Sequence, residues 1–132
     1  MLKPSVDFSV SVKGETTGKE YLGLFMVKTA LSFRERLRED EIYRSTLGAN
    51  PNDASPFAQS VASALSYLAV RITGEVPQFW KDCSGGVDLK DDEVLVTTHK
   101  AAVEAIDAEY KRFRGEGAVA IEELKKTEPA AS

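Results

Sequence analysis

The sequence predicts a mainly α-helical domain opened by a small N-terminal β-hairpin, an α+β arrangement with three main helices around one core. Three observations predict it. Apolar and polar residues alternate from Val6 to Lys13, glycines punctuate the stretch that follows, and apolar residues recur at helical spacing in three later segments. At 132 residues the chain is long enough for one core and too short for two. Residues 1–117 are expected to form the domain and 118–132 a weakly helical or disordered tail.

The hairpin is expected over residues 6–28. Val6, Phe8, Val10 and Val12 point one way, and Asp7, Ser9, Ser11 and Lys13 the other, as in a half-buried strand. Gly14 and Gly18 bracket a turn in which positive φ is available. The second strand, Lys19 to Lys28, is apolar on both faces: Tyr21, Phe25 and Val27 on one, Leu22, Leu24 and Met26 on the other. A two-stranded ribbon is marginal in water, so one face leans on the helices and the other needs a further helix or another chain.

The first helix is expected over about 32–47. Ser32 and Glu35 have capping-box spacing, and Gly48 suits the C-terminal cap. Phe33, Leu37, Tyr43 and Leu47 share a face and are expected to be buried, with Ile42 nearly opposite Phe33 as a candidate contact residue. The basic cluster of Arg34, Arg36, Arg38 and Arg44 is interleaved with Glu35, Glu39, Asp40 and Glu41, which reads as a solvated face laced with ion pairs.

The second helix, about 56–73, starts from the cap Ser55 and from Pro56 at its first position. Phe57, Val61, Leu65, Leu68 and Ile72 form its stripe, and small residues keep the rest slim. Phe79 and Trp80 follow in a short turn, with Trp80 expected in the core. The third main helix, about 92–113, carries Leu95, His99, Ala102, Val103, Ile106, Tyr110 and Phe113 on one side. Gly115 and Gly117 are expected to stop it. Asp88, Asp91, Asp92 and Glu93 gather at its start, complementing the positive end of the helix dipole.

Candidate chemistry is weak throughout. Three residues separate Gly14 from Gly18, and a strand rather than a helix follows, so this is not a phosphate-binding loop. Nothing in the spacing joins Cys83 to His99 as nucleophile and base, and the acidic cluster lacks a calcium-loop register. No catalytic, cofactor-binding or metal site is expected, and the chain is read as a non-enzyme. One cysteine excludes an internal disulfide and fits a reducing compartment. The net charge of −4 argues against nucleic acid. No apolar run approaches the ~20 residues of a membrane span, and the start lacks a signal-peptide core, so an intracellular protein is expected.

The order of these features carries a resemblance. The hairpin Val12–Lys28 (VKGETTGKEYLGLFMVK) is followed by Leu31-Ser-Phe-Arg-Glu-Arg-Leu37, then Leu47-Gly-Ala-Asn-Pro51, then a small-residue helix from Ala54-Ser55-Pro56. Pro77-Gln-Phe-Trp80 and Gly86-Val-Asp-Leu-Lys-Asp91 complete it. Over residues 6–113 this pattern resembles the tail assembly chaperones of tailed bacteriophages. The resemblance implies a mostly helical fold with a small β element, self-association, and binding to the long helical tape measure protein or other tail proteins in the host bacterial cytoplasm. It also implies a longer frameshifted form, for which Lys125-Lys126 is a candidate slippage point. The alternative is a structural virion component of the tail, neck or head-completion kind. Partner contact is expected at Tyr21, Leu22, Leu24, Met26 and Ile42, with neither nucleic acid nor membrane as a partner.

Overall fold

Alternation and turn chemistry at the N-terminus produce strands β1 (Ser5–Lys13) and β2 (Glu20–Lys28), antiparallel, with Phe8 opposite Phe25 and Lys13 opposite Glu20. The computed structural model describes residues 1–127. After the hairpin come α1 (Phe33–Leu47), a single 3-10 turn (Pro51–Asp53), α2 (Pro56–Arg71), β3 (Ile72–Thr73), α3 (Gln78–Asp82) and α4 (Asp92–Thr127). The fold is helix-dominated α+β, as the periodicity predicts.

Strand β3 is an addition. The apolar stripe predicts a second helix reaching residue 73, but the helix ends at Arg71, and Ile72 and Thr73 pair with Val27 and Met26 to give the order β1-β2-β3. Two residues are too few to show a strand period in sequence. The edge of β2 recruits them.

The inner faces of β1 and β2 meet α2, α3 and α4. Phe8 stacks on Phe25 with ring centroids 5.2 Å apart, and Phe25 meets the edge of Trp80 at 5.4 Å. Val27, Leu68, Ala102 and Ile106 close the core around them. Such aromatic pairs add about 0.5–1.5 kcal/mol each beyond area burial. Trp80 is in the core, as expected. Gly86 makes room for it: with φ +98°, it lies where a β-carbon would come within 2.7 Å of the indole. Of the expected stripe on α2, Leu65 and Leu68 are buried and Val61 and Ile72 half-buried, while Phe57 in the first turn is exposed.

α1 corrects an expectation. Its capping box is present, but Phe33 and Leu37 face solvent, and no α1 residue is fully buried. The inward side carries Glu35 and Glu39, which pair with Lys28 and Arg71, together with half-buried Ile42, Tyr43 and Leu47. Arg71 itself lies over the Tyr67 ring at 3.7 Å. Two ion pairs and the slim face of α2 set the rotation of the helix, an outcome that an apolar count on one helix does not capture.

α4 also departs from expectation. It runs through Gly115 and Gly117 to Thr127, past the predicted stop near residue 113. A mid-helix glycine costs only about 1 kcal/mol relative to alanine. Arg112 offsets this by pairing with both Glu109 and Glu116 and by donating to the Met1 carbonyl at 2.7 Å. Residues 118–127 are therefore helical, and the expected disordered end beyond them lies outside the described residues.

Candidate interaction surface

The outer face of the hairpin is built from the even-numbered residues of β2 and the odd-numbered residues of β1. Cross-strand pairs on it are Leu22 with Ser11, Leu24 with Ser9, and Met26 with Asp7. Leu22, Leu24 and Met26 retain 59%, 61% and 38% of their surface. They form an apolar ridge about 13 Å long on β2, beside a polar lane of serines and Asp7 on β1. Lys13 and Glu20 close one end, and Lys28 the other.

This ridge is held on a fixed platform. At the turn, Asp91 is fully buried and accepts the Thr16 amide at 2.8 Å, the Thr17 amide at 3.1 Å, the Thr17 hydroxyl at 2.6 Å and the Tyr21 hydroxyl at 2.7 Å. Glu93 accepts the Glu15 amide. Gly14 permits this approach, because a β-carbon there would collide with the Asp91 carboxylate. The Thr17 hydroxyl bond foremost, with those from Tyr21 and the two amides, holds the Asp91 carboxyl at about 2 in spite of burial. Tyr21 is drawn down by Thr17 and pushed up by Asp91 and by burial, and on balance its hydroxyl titrates above its ordinary range.

The open end of the hairpin is tied as firmly. The Tyr110 hydroxyl donates to the Thr29 carbonyl at 2.9 Å, the Thr29 hydroxyl donates to the Lys3 carbonyl, and Glu109 accepts the Lys3 amide at 2.7 Å. Glu109 is held at about 2, first by Arg112 and then by that amide. The apolar ridge is therefore exposed on a hairpin that is clamped at both ends and packed across its inner face.

The structure sorts the five expected contact residues. Leu22, Leu24 and Met26 lie together on the outer face. Tyr21 does not join them: it is 5% exposed, meets the edge of Phe79 at 5.2 Å, and spends its hydroxyl on Asp91. Ile42 is also corrected. It turns inward, half-buried, toward Leu65, Leu68, Ile72 and Trp80 around a 290 Å³ cavity between α1 and α2. Periodicity misses Phe33 and Leu37 as surface residues, and they take the outward side of α1.

His99 and Cys83 have separate surroundings. His99 meets the edge of Tyr67 at 4.9 Å and borders a 650 Å³ groove between α2 and α4, where Phe57 and Val96 are exposed. Burial, and then Arg71, push the His99 imidazole below its ordinary range. Cys83 caps α3, its carbonyl accepting the Gly86 and Asp88 amides. Among the described residues, no three His, Cys, Asp or Glu side chains are grouped to hold a metal ion. Nor is any described helix long and apolar enough to cross a membrane.

No family model, curated protein or solved structure matches this chain. Its functional reading rests on the surface itself and on the sequence pattern.

Proposed function

We propose that this chain is a non-enzymatic tail assembly chaperone of the tailed-phage kind, acting in the host bacterial cytoplasm. In this reading it binds the apolar stripe of a long helical tape measure protein, keeps that client soluble until tube subunits assemble, and self-associates. One observation carries the reading: the Leu22–Leu24–Met26 ridge stays uncovered although the hairpin beneath it is fully clamped. An apolar row exposed on one face of a rigid strand is a sticky patch unless a partner covers it. The ridge spans roughly two and a half turns of a facing helix, at 5.4 Å per turn, which suits anchors at i, i+3, i+4 and i+7.

Co-expression with a tape measure protein from the same phage tests this. The wild-type chain should keep the client soluble and co-purify with it. A folded Leu22→Ser, Leu24→Ser, Met26→Ser variant should lose it. Failure of the wild-type chain to co-purify overturns the proposal, and recovery of the polypeptide from purified particles would favour a virion component instead.

A further inference from the structure

We propose that the outward face of α1 is a self-association surface, pairing with the same face of a second copy as an antiparallel, two-fold helix dimer. The surface is separate from the hairpin ridge; it rests on the self-association part of the proposed function, while client binding is tested on its own at the ridge. Phe33 and Leu37, one turn apart, are 81% and 72% exposed, the largest exposures among the large apolar residues of the described helices. The helix is turned this way because Glu35 and Glu39 are engaged on its other side by Lys28 and Arg71.

The charges around this pair identify the occupant. At ~100° per residue, Arg34 and Glu41 flank the apolar row on one side, and Arg36 and Asp40 on the other. Of these four flanking residues, the two arginines precede Leu37 and the two acids follow it. In an antiparallel two-fold pair, like flanks meet head to tail, so Arg34 faces Glu41 of the second copy and Arg36 faces its Asp40. A parallel pair would set arginine against arginine. Leu37 then lies near the two-fold axis. Phe33 enters the hole between Leu37, Asp40, Glu41 and Arg44 of the second copy, the i, i+3, i+4, i+7 set of knobs-into-holes packing. Within one chain Asp40 already pairs with Arg44 at 3.0 Å, but both side chains are mostly exposed and free to re-pair.

Sedimentation equilibrium of the full chain from micromolar to millimolar concentration tests this. A reversible dimer is expected. Arg34→Glu should weaken it by about tenfold or more, since like charges then meet at both symmetric flanks. The double change Arg34→Glu with Glu41→Arg should restore it. In a Cys83→Ser background, mild oxidation should cross-link Leu37→Cys to itself faster than Ser45→Cys, which lies off the row. A wild-type chain that stays monomeric, a double swap that is folded but does not restore association, or equal cross-linking at residues 37 and 45 would each overturn the proposal. The triple hairpin variant should leave the dimer intact, so failure of the chaperone reading is seen separately.

Discussion

The Tyr21 hydroxyl donates to Asp91 across 2.7 Å, joining the start of β2 to the start of α4 over a sequence separation of 70 residues. The same carboxylate takes two turn amides and the Thr17 hydroxyl, so one side chain fixes the hairpin's height and rotation on the helical layer. Four donors at a buried carboxylate hold it ionised, and an ionised carboxylate accepts more strongly than a neutral one. The presentation of the outer ridge depends on this junction.

Acid should therefore loosen the molecule. Asp91 is depressed from 3.8 to about 2, and Glu109 and Glu35 from 4.5 to about 2. Folded values below the unfolded ones mean stability that is fully present above about pH 4–5 and lost as pH falls toward 2. Thermal melts from pH 7 to pH 2 should show Tm falling steeply across that window. Asp91→Asn should melt lower than wild type at pH 7 and show a shallower acid slope, the two curves converging near pH 2.

Neighbouring residues on β2 should behave oppositely. Phe25→Ala removes a fully buried ring stacked on Phe8 and should cost about 3–5 kcal/mol in urea unfolding. Leu24→Ser changes an exposed side chain and should alter stability by no more than about 0.5 kcal/mol. Its effect should appear instead in client co-purification. Equal destabilisation by the two would mean that the outer face is covered in solution.

Arg71 joins α1 to α2 through Glu39 and the Tyr67 ring. Arg71→Met keeps much of the stem and removes both interactions, with an expected loss of about 1–2 kcal/mol. Hydrogen exchange should quicken first in α1, which has no fully buried residue, while α2 and α4 remain protected.

The distal part of α4 offers a direct check on the helix boundary. A methyl group added at Gly115 or Gly117 would meet no described atom within 4 Å beyond its chain neighbours and the helix's own backbone, and both glycines lie inside a continuous helix. Replacing both with alanine should raise far-UV helicity and local stability by up to about 1 kcal/mol per site. A helix ending near residue 113 would show no gain.

Much of this fold is legible in the chain. The alternation of β1, the glycine turn, the Ser32 and Ser55 caps and the α2 stripe are local signals, and each element forms where they lie. The grouping of Leu22, Leu24 and Met26 on one face is legible too, because a strand's period of two separates its faces, whereas which face turns outward is decided by packing. The Asp91 junction is not legible, since a carboxylate at a helix start has an adequate local explanation in the helix dipole. Its burial depends on Gly14 and Tyr21 arriving from the far end of the sheet.

The order of the hairpin and the main helices, the two apolar faces of β2 and the predominance of helix follow from local pattern in the chain. Packing decided which side of α1 turns inward, that Tyr21 belongs to the interior, and that α4 continues past its glycines. The physical reason is common to all three. Periodicity identifies a stripe, but the rotation and extent of an element follow from contacts with residues distant in the chain: Arg71 for α1, Asp91 for Tyr21, and the Met1 carbonyl for Arg112 on α4.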